Sequence, residues 1–317
     1  MRVFLLDLII FFVSAFSFCS AEKFRWIDEP GKYVDLAYGK KKIARYVYQK
    51  MDPKNREQTY KPFHHIYQDN GKDFLTKGPG GKYTHHRGIH FGFSKCTAFN
   101  NTGKVANVDT WHCKRAYQVH ESIISQKADK ENASHTVKIT WRMDDGTIFV
   151  TELRKLSFSR FPDNTLQVDF KSSLSTNQEK VSLDGDPQHA GFQFRASNEV
   201  AVLNSKKTYY IRPNEGRDKE SATKNWPKDK DMTNLLWKGQ SIVVGGQRYT
   251  TLYLDHPSNP KPSYYSERDY GRFGSYFKAE LTPLKKLKVS YRLLIGLKER
   301  NLNDCEGFSQ GFVSTKQ

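Results

Sequence analysis

The residues able to do chemistry in this 317-residue chain gather in four short segments. Thr76 to Phe93 reads TKGPGGKYTHHRGIHFGF and holds three histidines, five glycines and a proline. Asp109-Thr110-Trp111-His112 follows, and then Asp184 to Arg195, DGDPQHAGFQFR. The last is Leu254 to Pro260, LDHPSNP, leading to Arg268-Asp269-Tyr270-Gly271. Histidine beside carboxylate is the set that general acid–base catalysis uses near neutral pH. The candidate bases are His86, His90, His189 and His256, with Asp109 and Asp186 as carboxylates and Glu152 as a further one. Arg87 and Arg195 could hold a carboxylate or stabilise an oxyanion. His85, Trp111, His112, Gln193, Asn259, Arg268 and Tyr270 are expected to contact substrate. The indole of Trp111 offers a flat face for a pyranose ring, although such a ring serves equally as a core edge. Asn259 has a competing role, since Asn and Asp side chains commonly bond turn backbone.

A metal ion is the second chemistry these histidines allow. His86 and His90, four apart on a strand, would stand ~13 Å from each other, too far for one ion. His85 and His86 point opposite ways if they lie on the strand, an objection that lapses in a loop. Metal therefore ranks below acid–base work, and no residue is assigned as a ligand. The cofactor is left open, with a metal possible but not favoured; Gly-x-Ser-x-Gly, P-loop and Rossmann patterns are missing. Cysteine pairs at zinc spacing are missing as well.

Strands must position these groups. If Gly88 to Phe93 is extended, Ile89, Phe91 and Phe93 face a core while Gly88, His90 and Gly92 face away. The second pattern repeats this coding: Ala190, Phe192 and Phe194 on one face, His189, Gly191, Gln193 and Arg195 on the other. Two strands so coded are expected in one sheet, sharing a polar floor. Alternation recurs at Val137–Trp141, Thr147–Phe158, Leu166–Phe170, Tyr209–Arg212, Ser241–Leu254, Arg272–Leu281 and Leu287–Leu297, with Gly, Asn and Asp turns between. Helical periodicity is scarce. The expected fold class is all-β, a large antiparallel β-sandwich.

Residues 1–21 read as a secretory leader: Arg2, an apolar run to Phe18, and a small-residue cleavage site ending at Ala21. The run is short for a membrane span. The mature chain is expected in the periplasm or outside the cell, without stable membrane insertion. It divides into one domain, 22–298, and a tail, 299–317. The net charge of +17 is scattered along the chain. That suits a soluble basic surface or an anionic polymer, and no nucleic-acid motif is present. Of three cysteines beyond the leader, Cys96 and Cys113 are the expected disulfide pair.

The ordered motifs PFHH, TKGPGGxYxHHRGIxFGF, DxWH, GDPQHAGFQFRA and DHPSNPxP…YGxFG resemble the exported bacterial "methane oxygenase PmoA" family, a domain of unknown function, from about Tyr60 to Leu297. The family label implies no copper chemistry, because the methane oxygenase subunit of that name is an integral membrane protein. The resemblance implies a supersandwich like that of galactose mutarotases and polysaccharide lyases. It implies too a concave sheet facing a saccharide or glycan, and the basic charge admits an anionic one. The expected function is thus an exported carbohydrate-active enzyme (lyase, hydrolase or epimerase) working by His–carboxylate chemistry. The alternatives are a non-catalytic glycan-binding protein and a metal-dependent oxygenase or hydrolase.

Overall fold

Two large antiparallel sheets face each other across an aromatic core. The computed structural model describes residues 22–315; the expected leader lies outside them. One sheet has eight strands, in the order Phe24–Glu29, Tyr33–Tyr38, Lys41–Val47, Phe63–Ile66, Ile89–Phe93, Ala190–Arg195, Arg272–Tyr276 and Tyr264–Arg268. The other has nine, with Leu287–Gly296 and Leu166–Ser175 at its centre and Ala116–Ala128 at one edge. A four-stranded sheet built on Lys95–Phe99 and Val181–Asp184 completes the fold. The all-β sandwich expected from the sequence is the architecture observed.

The two coded strands are direct neighbours. Ala190–Arg195 pairs antiparallel with Ile89–Phe93, with Phe192 opposite Phe91 and Gln193 opposite His90. Their aromatics enter the core as the alternation requires. Phe192 packs 4.4 Å from Phe170 and 4.6 Å from Tyr291, and Phe91 lies 5.8 Å from Phe170, all measured between ring centroids. Each fully buried phenylalanine stabilises the sandwich by roughly 1.5–3 kcal/mol. This burial makes the register costly to slip, because a one-residue shift would send His90 and Gln193 inward. Gly191 is required where it stands. Its φ is +75°, and a Cβ there would come 2.1 Å from the Ser275 carbonyl oxygen.

Several local features depart from expectation. Phe24–Glu29, Tyr33–Tyr38 and Ala116–Ala128 are strands that weak alternation concealed. Residues 302–313, within the expected tail, form a helix. Asn301 and Asp304 cap it reciprocally, and Cys305 and Phe312 pack against Leu252, Leu254 and Leu294 on the outer face of the nine-stranded sheet. Cys96, Cys113 and Cys305 are buried free thiols, so the expected pairing is not made. Cys96 is directed to the Phe93 carbonyl, whereas Cys113 is directed to those of Tyr60 and Thr110. Among the described residues no helix is long and apolar enough to cross a membrane.

Candidate functional site

The face of the eight-stranded sheet turned away from the core carries His90, Gln193 and Arg195, and loops fold over it. Two of those loops contain the same unit, Asp-x-x-His. Asp109 Oδ1 accepts the backbone N–H groups of Trp111 at 2.7 Å and His112 at 2.8 Å. Its Oδ2 lies 2.8 Å from His112 Nδ1. Asp186 Oδ1 accepts the N–H groups of Gln188 at 2.8 Å and His189 at 3.1 Å, and both its oxygens lie 3.2 Å from His189 Nδ1. Each aspartate thus fixes its turn and its imidazole together. The Nδ1 hydrogens are engaged, which leaves Nε2 of both rings with a lone pair to offer.

His85 is the third member. It sits in the loop before Ile89, and its ring centroid lies 4.7 Å from His112 and 5.7 Å from His189. One ring nitrogen from each of His85, His112 and His189 lies within 4.8 Å of the others, an arrangement that could hold a metal ion. His85 Nε2 is buried without a hydrogen-bond partner. Burial, helped by His112, Lys61, His189 and Arg195, pulls its pKa down to about 3, so the ring is neutral at pH 7. Three nitrogens at most 4.8 Å apart need to move under about 1 Å each to reach the 2.0–2.1 Å of a zinc bond.

A different buried cation braces the backbone of each histidine-bearing loop. Lys61 donates to the Trp111 carbonyl, beside His112. Arg87 donates to the carbonyls of Thr84 and His86, which flank His85. Arg195 donates to the Gln188 carbonyl, beside His189, at 2.6 Å. All three are at most 3% exposed. Desolvation brings Lys61 down to about 7 and lowers both arginines. The charges of Lys61 and Arg195 help keep His85 neutral, which is the form that binds metals.

Beneath the loops, His90 lies 5.0 Å from Trp111, centroid to centroid, and both are 1% exposed. The expected floor is therefore roofed: Trp111 is a lid over His90 and presents no open sugar platform. Gly92 leaves room there, since a Cβ would stand 3.0 Å from His90 Nε2. His86 is likewise buried, stacked 5.1 Å from Tyr83, which in turn lies 4.6 Å from Tyr270. Burial drives His86 and His90 far below the ordinary histidine range. Tyr83 and Tyr270 are half-exposed and form the aromatic surface beside the centre.

Residues 33–304 match the profile of a family described as Family of unknown function (DUF6807). The chain belongs to that family. No curated protein matches this DUF6807 member. Among solved structures it is similar to a GalM/aldose epimerase homologue from C. elegans, at 8% identity and a TM-score of 0.36, over 88% of this chain and 100% of the other. A polysaccharide lyase is similar at 9% identity and a TM-score of 0.34. That match takes in 92% of this chain but only 34% of the lyase. At these scores the likeness is one of general architecture, and the chemistry of the DUF6807 site rests on its own residues.

Other expected site residues of this DUF6807 chain lie elsewhere or do structural work. His256 packs 5.3 Å from Phe312 of the C-terminal helix, behind the nine-stranded sheet, and bonds Ser258. Asn259 clamps Asp255 and the backbone of Ser290, the turn-bonding role that competed for it. Glu152 is buried among Trp141, Arg154 and Ser172 within the nine-stranded sheet. Gln193 braces the floor by bonding Ala190 and Arg195. Arg268 lies at the margin, half-exposed beside Tyr270. Two residues had no assigned role: Lys61, which pins the His112 loop, and Tyr83. The repeat that marks two of the three histidines was nevertheless in plain view, because Asp-x-x-His occurs in this sequence only at 109–112 and 186–189.

Proposed function

We propose that this chain is an enzyme acting on a carbohydrate at the His85–His112–His189 centre, with a divalent transition metal of the zinc type held by the three imidazoles. The observation that supports this reading is their convergence, two of them backed at Nδ1 by a carboxylate. Acid–base work alone needs one such pair; carboxylate–histidine pairs converging on one point are the usual outer shell of a metal site. A three-histidine site leaves a position for water or substrate, and the ion would acidify that water or polarise a carbonyl. Asp109 and Asp186 fix the tautomers, the buried cations fix the loops, and Tyr83 with Tyr270 offers a face for the C–H side of a sugar. Export rests on the leader.

A metal-free acid–base enzyme is the second reading, favoured by the solvent-facing His189–Asp186 pair. The deciding experiment is metal analysis of the mature chain purified without chelator, beside His112→Ala, followed by a glycan screen with and without chelator. One equivalent of metal in wild type, none in the variant, and turnover abolished by chelation are expected. Turnover that survives chelation in a metal-free protein would establish the second reading instead. Saccharide binding with no turnover under any metal would leave a glycan-binding protein.

A further inference from the structure

Beside the histidine centre, three arginines stand in a row across three neighbouring strands. Arg195 is the register partner of Arg272, and Arg272 that of Arg268. Register partners project from the same face. Phe194 and Phe273 point into the core, so Arg195 and Arg272 point to the face that carries the site. Like charges directly opposite one another destabilise a sheet. The cost is larger here because Arg195 and Arg272 are each 1% exposed.

Among the described residues no carboxylate forms an ion pair with this row. Arg195 donates to Gln193 and to the carbonyls of Phe194 and Gln188. Arg272 donates from Nη1 to Ser266. Arg195 Nε, Arg272 Nε and Arg272 Nη2 are buried without a partner. The acids nearby are engaged elsewhere: Glu267 by Arg212 and Lys238, Asp186 by His189, and Asp269 by Ser221. Two desolvated guanidiniums with open donors and no carboxylate in ion-pair contact are a site built for an oxyanion, which they can grip through paired N–H groups. The row adjoins the aromatic surface. Tyr270 lies between Arg268 and Arg272 in the chain, and Arg195 is the charge that acts most strongly on His86.

We propose that this arginine row is a subsite for an oxyanion substituent of the substrate. The substrate is then an acidic saccharide, carrying a carboxylate or a sulfate ester, instead of a neutral one. Its charged group would rest on Arg195 and Arg272, with its reacting bond toward the histidines. This inference rests on reading the histidine centre as the reactive site, and the two can fail separately.

The test is calorimetric binding of glucuronate, galacturonate, a glucose sulfate and glucose to the metal-loaded mature chain, with metal content measured on every sample. Wild type is expected to bind at least one acidic sugar about tenfold or more tighter than glucose. A uronate preference assigns a carboxylate and a sulfate-ester preference assigns a sulfate. Arg272→Met should abolish the preference while keeping its metal. If that variant does not fold, Arg268→Met, at the half-exposed end of the row, should weaken acidic sugars about threefold and leave glucose unchanged. Equal binding of glucose and the acidic sugars by wild type overturns the subsite, as does a preference that survives in both variants. Loss of metal from wild type with the acidic preference intact overturns the reading of the histidine centre and leaves the subsite standing.

Discussion

The turns at Asp109–His112 and Asp186–His189 share one design and differ in how firmly they hold it. In the first, the two carboxylate oxygens divide the work: one takes both backbone N–H groups and the other takes the ring at 2.8 Å. In the second, Oδ1 serves the backbone and shares the ring with Oδ2 at 3.2 Å. The aspartate side chains are 14% and 44% exposed. Burial pushes Asp186 upward, but the His189 hydrogen bond and charge prevail and hold it below the usual carboxylate range. Each turn has a buried cation on a backbone carbonyl, Lys61 on Trp111 and Arg195 on Gln188; the first also carries Trp111 as a lid, whereas the second has Pro187 to stiffen its backbone. The difference separates a fixed support from a pair that solvent and substrate can reach.

Removing either imidazole should show that the turns serve one centre. His112→Ala and His189→Ala are each expected to weaken metal binding by more than about 100-fold, as read by competition with a chromogenic chelator. If only one of them has an effect, the histidines do not share an ion. Keeping the rings while changing their supports should then expose the inequality. Asp109→Asn and Asp186→Asn are expected to weaken metal binding by about 10–100-fold, with the loss at Asp109 several times the larger. Equal losses would mean that the shorter, better shielded contact at Asp109 confers no advantage.

The contrast also explains what could be read from the sequence. Alternation placed Phe91, Phe93, Phe192 and Phe194 in the core and His90, Gln193 and Arg195 on the opposite face, because the two-residue period of a strand is local information. Which histidines meet is not local. In the antiparallel pairing, Ile89 lies opposite Phe194 while Phe93 lies opposite Ala190. His85 and His189 therefore start from opposite ends of the strand pair. They meet because the loop before Ile89 folds back over the sheet, its backbone braced from within by Arg87. Strand spacing alone could not reveal this, and it ranked His86 and His90 above His85. The C-terminal helix was hidden for a different reason: Gly307 and Gly311, on its exposed face, lower its helix propensity, and its packing on the nine-stranded sheet compensates.

Both turns are left through a residue in the left-handed region, Cys113 with φ +56° and Gly191 with φ +75°. Only the second has no room for a side chain, because Ser275 closes over it. Gly191→Ala is accordingly expected to cost at least about 2 kcal/mol, through strain and through displacement of the neighbouring strand. Urea unfolding of the apo chain would measure it. A neutral result would show that the exit from the second turn is free to relax.

The smallest expected effect concerns the anchor of the first turn. Lys61 titrates near 7 in the folded chain against 10.5 for a free lysine, chiefly through desolvation. Below pH 7 the ammonium is charged in both the folded and unfolded chain, and its burial penalty is present in full. Between pH 7 and 10.5 the unfolded chain binds the extra proton, so this group makes stability rise with pH until the penalty is gone. Lys61→Met removes that contribution. The stability of wild type relative to the variant should therefore increase from pH 6.5 to pH 9.5, as measured by urea midpoints at fixed ionic strength. A difference that stays constant with pH would mean that Lys61 keeps its proton beneath Trp111, and that the His112 loop is anchored by a permanent charge.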